Sequence, residues 1–172
     1  MFVSLLQVAA LSAIAFYLVR WRRSVRRRSH ESWDSLLTRL RPDWSGRDLS
    51  DRFLWEEGLN STPDDTWKRM QGAKGLWVIY KNAQVMLEMA NYAAKNCDGV
   101  DRTLVENLHS DAIQIRVCVL MALGQYAFTH ASEGVRVNAF RAASLYTGMA
   151  ARMTHLLQDY AAAMVPDFVA AM

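Results

Sequence analysis

The first 28 positions contain no acidic residue, and no tryptophan follows position 77. Cysteine and proline are scarce throughout. There are two cysteines, Cys97 and Cys118, and three prolines, Pro42, Pro63 and Pro166. Two thiols at no metal-like spacing exclude a thiolate metal cluster and a disulfide framework. If Cys97 lies in a hairpin turn, Cys118 sits far along the next helix, roughly 24 Å away at a rise of about 1.5 Å per residue. A disulfide needs Cα atoms within about 7 Å, so this pair should stay unbridged, as suits a reducing compartment.

Catalytic signatures are missing as well. "GAKG" lacks the spacing and the terminal Lys-Ser/Thr of a phosphate loop, and there is no G-x-S-x-G and no H-E-x-x-H. Glu106 and His109 have the Glu-x-x-His spacing of di-iron bundles. Such sites need a second copy of the motif plus two further carboxylates, and His155 is preceded at the matching offset by Arg152. The pair therefore reads as helix-surface chemistry, and no metal or cofactor is expected. His130 and Glu133 fall in a helix break, where such residues commonly cap.

What is present is 52% hydrophobic and 22% charged residues, ample for a packed core. The net charge of +3 hides a division. Residues 1–28 carry six arginines and no acid, or +6; residues 29–172 carry 14 basic and 17 acidic side chains, or 14 − 17 = −3. A mildly acidic body gives nucleic acid no foothold.

Residues 2–19, "FVSLLQVAALSAIAFYLV", hold no charge. As a helix they span roughly 27 Å, close to the hydrocarbon thickness of about 30 Å. Tyr17 and Trp21 suit the interface, and Arg20, Arg22, Arg23, Arg26, Arg27 and Arg28 follow at once. By the positive-inside rule this flank stays cytoplasmic, with the short amino terminus outside. A secretory signal has its charge before the apolar core, the reverse of this order. An uncleaved organellar anchor obeys the same physics. The same seven flank residues, Trp21 included, could also contact acidic lipid.

Beyond the flank, Trp33, Leu36, Leu37 and Leu40 fall at helical spacing, and Pro42 ends that segment. Residues 42–62 read as linker with one short helix around 48–57. "STPDDTW" is a helix start, with Thr62 at the cap, Pro63 at the first position and Asp64 and Asp65 on the dipole. Gly72 and Gly75 should break that helix before a longer one over 76–95. Helices over 101–130 and 132–164 follow, the last ending before Pro166. The nearly continuous run "VCVLMALGQYAF" marks 101–130 as the expected buried centre. Ala139, Ala143, Gly148 and Ala151 give the last helix a close-packing face. Arg116, Arg141, Arg152, Asp111 and Glu88 are expected on solvated faces or in inter-helix pairs, and the nine methionines as core filling. The tryptophans of the first half are expected to pin the amino-terminal segments to the bundle.

The expected architecture is all-α, a single transmembrane helix followed by an antiparallel bundle of about three long helices plus short amino-terminal ones. Residues 1–28 form the anchor and flank, 29–62 an amphipathic linker and 63–172 the bundle. The expected function is a membrane-anchored interaction module, a scaffold, receptor or accessory subunit. Its partners are the lipid bilayer and another membrane protein or a second copy, with no nucleic acid. The alternative is a ligand-binding or enzymatic bundle with a pocket lined by Tyr80, Tyr126 and Tyr146.

Overall fold

The computed structural model describes residues 32–40, 62–130 and 132–171. The apolar run 2–19, the flank residues Arg20, Trp21, Arg22, Arg23, Arg26, Arg27 and Arg28, and the helix expected around 48–57 lie outside them. Among the described residues all regular structure is helical. There are six α-helices, α1 Trp33–Leu37, α2 Pro63–Arg69, α3 Ala73–Asn96, α4 Arg102–Thr129, α5 Glu133–Tyr160 and α6 Val165–Ala171, with a 3₁₀ turn, Ala162–Met164, between the last two.

Local chemistry sets most of the boundaries. Ser32 caps α1 by accepting from Ser35 N–H. Thr62 caps α2, its Oγ1 accepting from Asp65 N–H at 3.2 Å and donating to the Asp65 carboxylate at 2.7 Å. Pro63 follows at the first position, where its missing N–H costs nothing. Gln71 and Gly72 turn the corner into α3 with φ of 59° and 65°. Gly75 lies inside the first turn of α3 rather than before it, and a Cβ there would overlap the Met70 carbonyl. Asp101 caps α4 through Thr103 N–H at 2.8 Å.

The three long helices run antiparallel through short turns. Tyr160, at the end of α5, donates to the Gly99 carbonyl in the turn between α3 and α4, which ties the end of α5 to the start of α4. Ala139, Ala142, Ala143 and Ala150 on α5 are buried, with Ala112 and Ala122 of α4 in the same core, so these helices approach closely. Of the expected close-packing face, Ala151 is exposed and Gly148 half-buried. Trp33 of α1 meets Tyr92 of α3 edge-on at 4.9 Å, and Trp67 of α2 meets Tyr126 of α4 at 5.6 Å. These two act as the expected pins, whereas Trp77 does not: it is 44% exposed and stacks on Tyr80 of its own helix. Met70, Met86, Met89, Met149 and Met153 fill the core, and both cysteines are free thiols.

Two expectations are corrected. The last long helix stops at Tyr160, where Ala161 leaves helical geometry at φ −153°. Pro166 begins a new helix instead of lying beyond the old one, because the first turn of a helix tolerates proline. The larger correction concerns α4. It is not the buried centre; α3 buries fourteen of its 24 residues and α4 only eight of 28. Of the described helices, α4 is the one long and apolar enough to cross a membrane by length and composition, and most of it is not buried in the bundle.

Gly75 and Gly124 provide a paired test of the packing. Gly75→Ala should cost about 2–3 kcal/mol by overpacking, because the Met70 carbonyl blocks the new methyl. Gly124→Ala meets open space and should be neutral or stabilise by about 0.5–1 kcal/mol through helix propensity. Chemical denaturation of the two variants checks both signs.

Candidate interaction surface

Two arrangements in the bundle concentrate unusual side chains. The first is polar and internal. Arg116 of α4 is buried, donating from Nη2 to Tyr80 Oη and from Nη1 to Gln84 Oε1, each at 2.6 Å, with its guanidinium 4.4 Å from the Tyr80 ring centroid. Gln84 Nε2 then donates to Glu88 Oε1 at 2.6 Å, and Arg39 beyond α1 lies 2.7 Å from the other Glu88 oxygen. Glu88 is fully buried. Burial draws the Arg116 pKa below its ordinary value, opposed by the hydrogen bond to Tyr80 and by the charges of Tyr80 and Glu88.

Elsewhere Asn82 donates to the Tyr146 hydroxyl at 3.1 Å, and burial pushes that phenol up to about 12. Arg152 bonds Asp111 across α5 and α4. These charges were expected on solvated faces or in inter-helix pairs. Arg141 and Arg152 are exposed, and Arg152–Asp111 is such a pair, but Arg116, Glu88 and Asp111 are buried against the expectation of a solvated face, each with a partner that offsets part of the cost of leaving water.

The three tyrosines of the pocket alternative do not converge. Tyr80 and Tyr146 are buried with their hydroxyls engaged by Arg116 and Asn82, while Tyr126 is 38% exposed against Trp67. Glu106 is exposed and His109 Nδ1 contacts the Val105 carbonyl one turn back, 3.1 Å away. The internal network therefore joins helices to one another, and its groups answer each other's polar demands.

The second arrangement faces outward. Successive residues on a helix are about 100° apart, so side chains two positions apart point to nearly opposite faces. The buried line of α4 is Leu108, Ala112, Ile115, Val119 and Ala122. Ile113, Val117, Leu120, Met121 and Phe128 lie on the other face, at 45, 50, 47, 52 and 89% exposure. They recur at the i, i+4, i+7, i+8 spacing of one helical stripe, with Gly124 among them open to solvent. The stripe runs about 22 Å along the helix axis at 1.5 Å per residue. The amino-terminal third of α4 shows Arg102, Glu106, Asn107 and Ser110 on its exposed side instead. Isolated exposed apolar residues are ordinary; a continuous stripe is what interaction sites expose.

Comparison with known protein families, with curated proteins and with solved structures finds no match to the chain. The stripe and the network thus have to be read from their own chemistry.

The Asp111–Arg152 pair predicts a pH signature. Burial raises the Asp111 pKa above the ordinary 3.8, with the charge and hydrogen bond of Arg152 pulling it back. The folded state then holds this proton more tightly than the unfolded chain, so the ionised carboxylate subtracts stability. That deficit is absent at low pH and grows as pH rises through the raised pKa. Arg152→Gln should enlarge it, destabilising at neutral pH by about 1–2 kcal/mol, since one partner of the pair stays partly hydrated. The loss should shrink on acidification towards the Asp111 titration, and adding Asp111→Asn should flatten the profile. Thermal unfolding across that range reads all three.

Proposed function

We propose that the protein is a membrane-anchored helical interaction module. Residues 2–19 cross the bilayer, the flank Arg20, Trp21, Arg22, Arg23, Arg26, Arg27 and Arg28 stays on the cytoplasmic side, and the bundle is held at that face as a scaffold or accessory subunit. The observation that carries this reading is the apolar stripe of α4, which the described residues of the bundle leave exposed. Exposed apolar side chains in water each forgo part of the roughly 1.5–3 kcal/mol that burial of such a group supplies. A surface of this kind is built to be covered. The charge order of residues 1–28 supports the location, since arginines directly after an uncharged run are the signature of an inner flank. A pocket enzyme has less support, because the polar groups suited to line one are bonded to each other.

Membrane fractionation tests the reading. The full chain should stay with the membrane through an alkaline carbonate wash, and a tag after Met172 should be open to protease only from the cytoplasmic side. Release by carbonate would remove the anchor, and a tag cleaved from outside would reverse the orientation.

A further inference from the structure

Resting on the anchored reading above, we propose that the anionic surface of the bilayer itself covers the α4 stripe, with α4 lying in the membrane plane and not across it. The ground for choosing this occupant is charge. Over the stretch that carries the stripe, residues 73–87 of α3, 112–129 of α4 and 134–150 of α5 contain no acidic residue and five basic ones; Arg116 is buried and Arg136 is paired with Asp64, which leaves Lys74, Lys81 and Arg141 to meet an anionic surface.

The cations border the stripe on both sides. On the α3 side, Lys74, Trp77 and Lys81 share a face at i, i+3, i+7. Trp77 is 44% exposed and stacked on Tyr80 at 5.2 Å, with Lys81 Nζ 4.9 Å from a Trp77 ring centroid. Tyr80 in turn accepts from Arg116, which lies one turn from both Ile113 and Leu120, so this edge abuts the stripe. On the α5 side Arg141 is exposed one turn beyond Asn138, which donates to Gln125 Oε1 at 3.1 Å, and Gln125 lies one turn beyond Met121 of the stripe.

The acids packed nearby are occupied or peripheral. Glu88 is buried against Gln84 and Arg39, and Asp111 is bonded to Arg152. Asp64 of α2 pairs with Arg136 at 2.5 Å. Glu106 and Glu133 are exposed only beyond the two ends of the stripe.

An apolar stripe edged by lysine, arginine and an exposed tryptophan matches an interfacial helix, whose apolar face sinks about 5–10 Å into the headgroup boundary. Aromatic rings and basic side chains favour that boundary, each cation adding to the attraction of an anionic leaflet. A second copy of this chain fits less well. Any two-fold pairing on the stripe, parallel or antiparallel, sets one positive flank against another. Crossing the bilayer fits poorly as well, since the opposite face of α4 carries Asp111 and Arg116 bonded into α5 and α3.

The test uses the full chain with Cys97→Ser and Cys118→Ser and one nitroxide label. The label sits at Met121→Cys, with Val117→Cys as a second site and His155→Cys on α5 as a control. Each protein is reconstituted into phosphatidylcholine vesicles with or without roughly one-third phosphatidylserine. With phosphatidylserine, the labels at 121 and 117 should be open to oxygen and shielded from an aqueous nickel chelate, while the label at 155 stays aqueous. Lys74→Gln, Lys81→Gln and Arg141→Gln should each lower the ratio of lipid-facing to water-facing label by about fivefold, with flotation unchanged. Nickel reaching 121 as freely as 155 on vesicles that still float the protein would overturn the bilayer contact and leave the anchor standing. Spin–spin broadening at 121 regardless of lipid charge would give the stripe to a second copy. Shielding seen only in native membranes would give it to a protein partner. A chain that floats with neither vesicle would sink the anchored reading as well.

Discussion

The register of α4 on α3 is the constraint on which the rest depends, and Arg116 sets it. Its guanidinium reaches two α3 groups one turn apart, Tyr80 Oη and Gln84 Oε1, and stacks over the Tyr80 ring. A planar fork held at two points leaves little freedom to slide or roll. Rolling α4 by one residue, about 100°, would carry Val117 inward and strand Arg116 in solvent. That slip would break both bonds of Arg116 to α3, next to the fully buried Glu88. The network thus decides which apolar line of α4 is core and which is surface.

A helix with two opposed apolar lines cannot be satisfied by one core. In α4 the inner line meets the alanine face of α5, where small residues bring the backbones together. The outer line has the same character and no element of the described bundle over it. The polar first third of α4 sits where α5 ends and Tyr160 closes on Gly99, so the outward face changes from wet to apolar along one helix. The proposed in-plane contact with lipid follows from that division.

Much of this fold is legible in the residues, because local chemistry writes it. Thr62-Pro63-Asp64-Asp65 and Gly72 mark boundaries that depend only on neighbours in the chain. The tryptophan pins Trp33 and Trp67 follow from burial preference, which fails at Trp77, 44% exposed on α3. The face of α4 was not legible in the same way. "VCVLMALGQYAF" is apolar on all sides, and a continuous run fits a buried helix as well as a two-faced one. The available signal was the second line itself, Ile113, Val117, Leu120, Met121 and Phe128, which a single core does not require. Pro166 misled because proline ends a helix from one side and begins one from the other. Glu88, Asp111 and Arg116 became visible as buried pairs only when the tertiary structure brought α1, α3, α4 and α5 together.

The stripe's position late in the chain bears on how such a protein is made. Ninety-four residues separate position 19 from position 113, roughly 5–20 s of synthesis at about 5–20 residues per second. An anchor encoded first would be in the lipid before Ile113 leaves the ribosome. The face most prone to aggregate in water would then be born beside the surface proposed to cover it, and would need no chaperone to carry it there.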